Sequence, residues 1–241
     1  MPCKPKTRAV HYRAPRPLTV AEIDCDAHKR VSLVHKEFKR GFAFIRKYPK
    51  SVSIFGSSMI TDQDPYYRKA TQLAAKIAKA GYTIVTGGGP GIMEAANRGA
   101  FMAGGQSVGL NIKLPHEQVR NRYLTDYLEF YYFFARKVML SFAAEAYIFF
   151  PGGYGTLDEF FEIATLVQTN RINMAVPLIL FGKEFWRPMD KLIRNNLLRK
   201  HRTILKTDPS IYCVAEDEKK ILEIIARSPI VETIPFTYQG K

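Results

Sequence analysis

Three times in this chain a short run rich in β-branched and aromatic residues ends in glycine and opens into a helical pattern. Ser51-Val52-Ser53-Ile54-Phe55 runs into Gly56-Ser57-Ser58, Tyr82-Thr83-Ile84-Val85-Thr86 into Gly87-Gly88-Gly89-Pro90-Gly91, and Ala146-Tyr147-Ile148-Phe149-Phe150 into Pro151-Gly152-Gly153-Tyr154-Gly155. Parallel strands cannot be joined by a tight hairpin, so repeated strand–turn–helix units imply crossover helices and a parallel sheet. Further strands are expected over 107–112, 128–133, 176–181 and 211–215, and helices over about 65–80, 91–103, 134–143, 184–200 and 216–227. The fold class is therefore α/β: a Rossmann-like three-layer fold with a doubly wound parallel sheet of about seven strands. Ligands in such sheets bind at the carboxyl ends of the strands, the edge at which all three glycine turns fall.

The third turn is the most chemical of them. Gly152, Gly153 and Gly155 carry no side chains to keep an anion from the main-chain N–H groups, and the helix that follows brings the positive end of its dipole. Thr156 adds a hydroxyl, and these four residues form the expected phosphate cradle. Gly88 and Gly89 are expected along the other side of the ligand, with Ser57 either touching it or capping the next helix. Glu94 and Asn97 lie three apart on one helical face, suited to a ribose or to local packing.

Glu159 has two open readings. It can be the carboxylate that serves a reacting sugar, or the far end of a Thr156-x-x-Glu159 capping box. Asp158 and Glu162 are competing carboxylates, with Glu162 facing the same cleft and Asp158 the helix terminus. Arg136 opens a helix at the same sheet edge, where a guanidinium can orient a phosphate or polarise a leaving group. Lys137 is a weaker binding candidate, since adjacent helical residues point apart. His116 and Glu117 lie in a polar loop that suits a lid.

Several classes are excluded. From Gly87 a dinucleotide fingerprint needs a small residue at 92 and meets Ile92, and from Gly89 it meets Glu94; the next strand ends in Asn111 where an acidic ribose-binding residue belongs. No G-x-x-x-x-G-K-[ST] is present. Cys3, Cys25 and Cys213 are too far apart for CxxC or zinc spacing, so no metal, no cofactor and a reducing compartment are expected. With no long uncharged stretch and no signal peptide core, a cytoplasmic protein without a membrane partner is expected.

The net charge of +14 is concentrated at one end: residues 1–50 hold 13 Lys and Arg against 4 Asp and Glu. Residues 1–18, with Pro2, Pro5, Pro15 and Pro17, are read as a disordered basic arm, 19–50 as a helical extension, 51–228 as the nucleotide-binding domain and 229–241 as a tail. Such an arm is more often a solvated tail than a sequence reader, which places nucleic acid behind a small-molecule ligand.

Taken together, Gly87-Gly88-Gly89-Pro90-Gly91-Ile92-Met93-Glu94-Ala95-Ala96-Asn97, Arg136-Lys137-Val138-Met139 and Pro151-Gly152-Gly153-Tyr154-Gly155-Thr156-Leu157-Asp158-Glu159 resemble the LONELY GUY family across residues 51–215. The family was long labelled lysine decarboxylase-like. The resemblance implies a phosphoribohydrolase that releases a free base, in the classical case a cytokinin, from a nucleoside 5′-monophosphate, giving ribose 5-phosphate. It also implies that Arg136 and Glu159 are catalytic and that the protein is a homodimer or larger homo-oligomer with the site near the contact. Met93-Glu94 stands where the plant enzymes carry Met-Gly, so the form resembles the broader microbial branch and the base stays open. Two alternatives remain: a non-catalytic nucleotide or molybdenum-cofactor carrier on the same fold, and an RNA-associated protein using the basic arm.

Overall fold

The computed structural model describes residues 20–113, 120–172 and 175–228, with the side chains of 20–26 left aside. The expectations for 1–18, 229–241 and the His116–Glu117 loop lie outside the described residues. The chain divides into two units, Met1–Lys36 and Glu37–Lys241, with the boundary inside the first helix, α1 (Val20–Ile45).

In the larger unit, seven strands form one parallel sheet: β1 (Ser51–Phe55), β2 (Thr83–Thr86), β3 (Ser107–Ile112), β4 (Asp126–Phe130), β5 (Ala146–Phe149), β6 (Leu178–Phe181) and β7 (Tyr212–Ala215). The order across the sheet is β4-β3-β2-β1-β5-β6-β7, every neighbouring pair parallel. The helices are α2 (Pro65–Lys79), α3 (Ile92–Met102), α4 (Phe133–Ser141), α5 (Tyr154–Gln168), α6 (Lys183–Leu192) and α7 (Glu218–Ala226). Winding runs outward one way from β1 and, after β4, resumes at β5 on its other side. The topological switch point therefore lies between β1 and β5, where a crevice opens in doubly wound sheets.

Every residue of β1, β2, β3, β5 and β6 is buried, as expected of strands covered on both faces. Alternation sorts their side chains into two apolar layers. Phe55, Val85, Val108, Leu110, Tyr147, Phe149 and Leu180 meet Met139, Phe160, Ile163 and Trp186 on one face. Val52, Ile54, Ile84, Ile148, Phe150 and Phe181 meet Leu73, Ile77, Ile92 and Ile221 on the other.

The fourth strand ends earlier than its apolar pattern predicts, at Phe130, and α4 begins at Phe133. The cause is a side chain from α1: the Glu37 carboxylate accepts the Tyr131 N–H at 2.6 Å and the Tyr132 N–H at 3.1 Å, drawing both out of the ladder. The single helix expected over 184–200 is instead α6, with Pro188 inside it, followed by a π-helical stretch, Ile193–Lys200.

Candidate functional site

Three turns meet at the carboxyl edge through the backbone of Ser57. Its N–H donates to Pro151 O at 3.0 Å, and its carbonyl accepts the Ile92 N–H at 3.0 Å, so the ends of β1 and β5 and the start of α3 are one hydrogen-bonded unit. Its hydroxyl accepts the Met59 N–H at 3.0 Å. Ser57 does not cap α2; Asp64 does, accepting from the Tyr66 N–H at 2.7 Å. Gly91 is required by this junction, because at φ 73° a Cβ there would strike Ser57 O.

The residues expected to cradle phosphate lie at the uncapped start of α5. Gly153 is the N-cap residue, without a side-chain cap, and Leu157 N–H is the first to find the Gly153 carbonyl, at 3.1 Å. Helix geometry leaves the N–H groups of Tyr154, Gly155 and Thr156 without intrahelical partners. A Cβ at Gly152 would collide with the Thr156 side chain, so that glycine lets the buried Thr156 turn back under the loop. Gly153 and Gly155 open to free space. The same boundaries remove the capping-box reading of Glu159: the cap lies at Gly153, Thr156 is already in the first turn, and Glu159 stands a turn beyond the positions that a box uses.

Arg136 reaches across the sheet edge from α4. Its Nε donates to Leu110 O in β3 at 2.7 Å, and a guanidinium nitrogen occupies the space that a Cβ at Gly87 would need. Burial lowers its pKa, and the facing Glu159 opposes that shift. Burial in turn pushes the Glu159 carboxyl up to about 7, against the pull of Arg136. The two groups thus share one desolvated space, and the Glu159 carboxyl has no hydrogen-bond partner among the described residues. Lys137 is held in ion pairs with Asp158 at 2.8 Å and Glu162 at 2.9 Å. Burial alone would lower its pKa, but the two carboxylates outweigh it and the net shift is upward.

The Gly88–Gly89 turn is held from behind. Thr86 Oγ1 accepts the Gly88 N–H at 2.9 Å and donates to Asn97 Oδ1 at 2.6 Å. Asn121 donates from Nδ2 to Gly89 O and to Asn97 Oδ1, and from its N–H to Gly88 O. Asn97 is fully buried, with its Nδ2 donating to Ser107 Oγ at 2.9 Å, so it supports the turn from beneath and is not placed to touch a ribose. Glu94 stays at the rim of α3, accepting from Tyr67 OH at 3.2 Å.

Sequence reasoning missed Thr86 and Asn121 as supports, and took Asn111 only as a missing acid. Asn111 is buried against Gly88, and its Oδ1 has no hydrogen-bond partner among the described residues. A lone amide near the end of a fully buried strand was the available signal, because such groups are normally paired. Among the described residues no three His, Cys, Asp or Glu side chains cluster as metal ligands, and no helix is long and apolar enough to cross a membrane.

A doubly wound α/β protein with an uncapped, glycine-rich helix N-terminus at its switch point and an arginine–glutamate pair beside it is the class that this geometry defines. A protein-family model described as "Possible lysine decarboxylase" matches residues 93–225, more than half of the chain. The chain belongs to that family, the LONELY GUY family.

Among its relatives, a cytokinin riboside 5′-monophosphate phosphoribohydrolase of Rhodococcoides fascians is 29% identical over 150 residues, 60% of this chain and 74% of that protein. A probable enzyme of the same name from Oryza sativa subsp. japonica is 32% identical over 122 residues, 49% of each chain. One from Mycobacterium marinum is 35% identical over 98 residues, 40% of this chain and 52% of its own. The match therefore spans about three quarters of the first of these and about half of the other two.

In solved structures the same fold occurs in the molybdenum cofactor carrier protein of Chlamydomonas reinhardtii, with a TM-score of 0.55 and 18% identity over 74% of this chain and 99% of that one. It occurs also in a molybdenum cofactor binding protein of Rippkaea orientalis, with a TM-score of 0.54 and 22% identity over 73% and 95%.

Proposed function

We propose that this protein is a metal-independent phosphoribohydrolase: a nucleoside 5′-monophosphate and water give the free base and ribose 5-phosphate. The observation that carries the reading is Glu159, a carboxyl with no capping role and no hydrogen-bond partner among the described residues, facing Arg136 beside an uncapped helix N-terminus. The relatives' names support the same chemistry.

In this mechanism the 5′-phosphate rests on the N–H groups of 154–156 with Thr156, the dipole of α5 favouring its charge. Cleavage of the C1′–N bond develops positive charge on the sugar, which ionised Glu159 stabilises while it takes a proton from the attacking water. The bonding electrons leave with the base, whose nitrogen takes up a proton equivalent to the one Glu159 gained and so restores the carboxylate, and Arg136, fixed on Leu110 O, orients the ligand and polarises the departing group. Because Glu159 titrates at about 7, it is a base matched to neutral pH.

We extend the proposal to a homodimer, supported by the exposed Phe133, Phe134 and Phe161 on the helices that carry the site, and to a cytoplasmic setting. Sedimentation at micromolar concentration tests the dimer, and a monomer there refutes it.

A panel of AMP, GMP, CMP, UMP and isopentenyl-adenosine monophosphate, read by chromatography for released base, tests the activity and names the base. AMP should far exceed adenosine in kcat/KM, because the cradle binds phosphate; equal values would discard it. Turnover should survive exhaustive chelation, and rescue of a chelated protein by one divalent ion would refute metal independence. The carrier alternative draws on the two molybdenum-cofactor neighbours, and predicts tight binding with no base released from any monophosphate.

A further inference from the structure

Arg136 and Glu159 stand on different helices, α4 and α5, so something must fix their separation. The residue next to Arg136 bridges the two helices. The Lys137 ammonium reaches Asp158 Oδ2 at 2.8 Å and Glu162 Oε2 at 2.9 Å, and those carboxylates are one helical turn apart on α5, flanking Glu159 from positions −1 and +3. We propose that Lys137 is a positioning residue for the hydrolysis assigned above, tying α4 to α5 and neutralising the two carboxylates that would otherwise keep Glu159 protonated.

The charged groups that face Glu159 are Arg136 and Lys137 from α4 and Asp158 and Glu162 from its own helix. The two cations favour the carboxylate and the two acids oppose it, with burial acting against ionisation throughout. With Glu159 ionised, these five groups carry one net negative charge, matched to the single positive charge of an oxocarbenium ion. Without Lys137 the balance shifts toward unpaired carboxylates, and like charges close together hold one another's protons. A lysine serving as a phosphate ligand would have to give up its ion pairs with Asp158 and Glu162.

The test is Lys137→Met, which keeps most of the stem and removes the charge. The acid limb of its kcat/KM profile should move to higher pH by about one unit, the lower end of the range for a nearby charge. At pH 7 kcat should fall about fivefold, as the ionised fraction of Glu159 drops from about half to about a tenth, with KM for AMP changed less than about threefold. Asp158→Asn with Glu162→Gln, in the presence of Lys137, should move the limb the opposite way; the triple variant should return it toward the parent. The double variant keeps the test open if Lys137→Met does not fold.

A carbon-13 titration of the Glu159 carboxyl, assigned with Glu159→Gln, reads the same shift in free protein. An inactive parent would refute the hydrolase reading while leaving that titration decisive for Lys137. An unmoved Glu159 titration, or a large rise in KM with an unchanged pH profile, would overturn the proposal and make Lys137 a substrate contact.

Discussion

Glu145 and Glu159 stand at opposite edges of the sheet, one just before β5 and the other just after it on α5, and burial pushes both carboxyls up to about 7. Glu145 is a staple. Its carboxylate accepts the Ser51 N–H at 2.6 Å, its own N–H donates to Ser51 O at 3.1 Å, and its carbonyl accepts the Ser228 hydroxyl at 2.7 Å, locking the start of β5 to that of β1. Glu159 has no hydrogen-bond partner among the described residues, interacts with the Arg136 guanidinium, and lies one turn into a helix whose first N–H groups carry no side-chain cap. A perturbed pKa therefore does not distinguish the two; what surrounds the carboxyl does.

The comparison breaks most sharply at Glu159. Glu159→Gln should lower kcat by at least about 10²-fold, the scale of losing a general base, while nucleotide binding measured by calorimetry persists. Arg136→Ala should lower turnover similarly with the fold intact by circular dichroism. A folded Glu159→Gln protein with near-parental turnover would pass the argument to the carrier reading. The loss cannot be attributed to a missing cap, because Gly153 ends α5 without a side chain.

A smaller effect lies in the pH profile. With Glu159 as the proposed ionised base, its carboxyl pushed up to about 7, kcat/KM should fall about tenfold for each unit below that pH. A flat profile between pH 5 and 8 would show that Glu159 is not the group whose ionisation the reaction needs.

How far the sequence carried this picture depends on the range of the forces involved. The seven strands and the glycine turns were legible because alternation, β-branched runs and turn chemistry are local. The end of β4 was not, since it is set by Glu37, some 94 residues earlier, capturing the Tyr131 N–H. At the site, the placement of Arg136, Glu159 and the third glycine turn at one sheet edge was legible from residue type and spacing, whereas the catalytic roles expected of Arg136 and Glu159 came from the family resemblance. Between the ribose and packing roles left open for Asn97 the sequence could not choose, because helical periodicity shows which residues share a face and not whether that face is buried under a turn. The position of Lys137 between Asp158 and Glu162 depends on how two helices pack, which no window of sequence contains.

The smallest effect is expected at Glu145, where activity and stability should separate. A carboxyl whose folded pKa is raised from 4.5 to about 7 contributes stability that is fully present below pH 4.5 and is lost as pH rises through 7, because the folded chain holds the proton more tightly. Glu145→Gln keeps an acceptor for the Ser51 N–H and removes the charge. It should raise stability at pH 8 by about 1–2 kcal/mol in denaturant titrations, less than the full shift implies, and change it little at pH 4. Its kcat and KM should stay within about twofold of the parent, since the residue lies at the amino edge of the sheet. Glu159→Gln should show the same gain at pH 8 while abolishing turnover, as expected where a site holds a buried charge for function at a cost in stability. A collapse of activity in Glu145→Gln, with the fold retained, would mean that the two carboxyls are coupled through β5, and the division into staple and catalyst would fail.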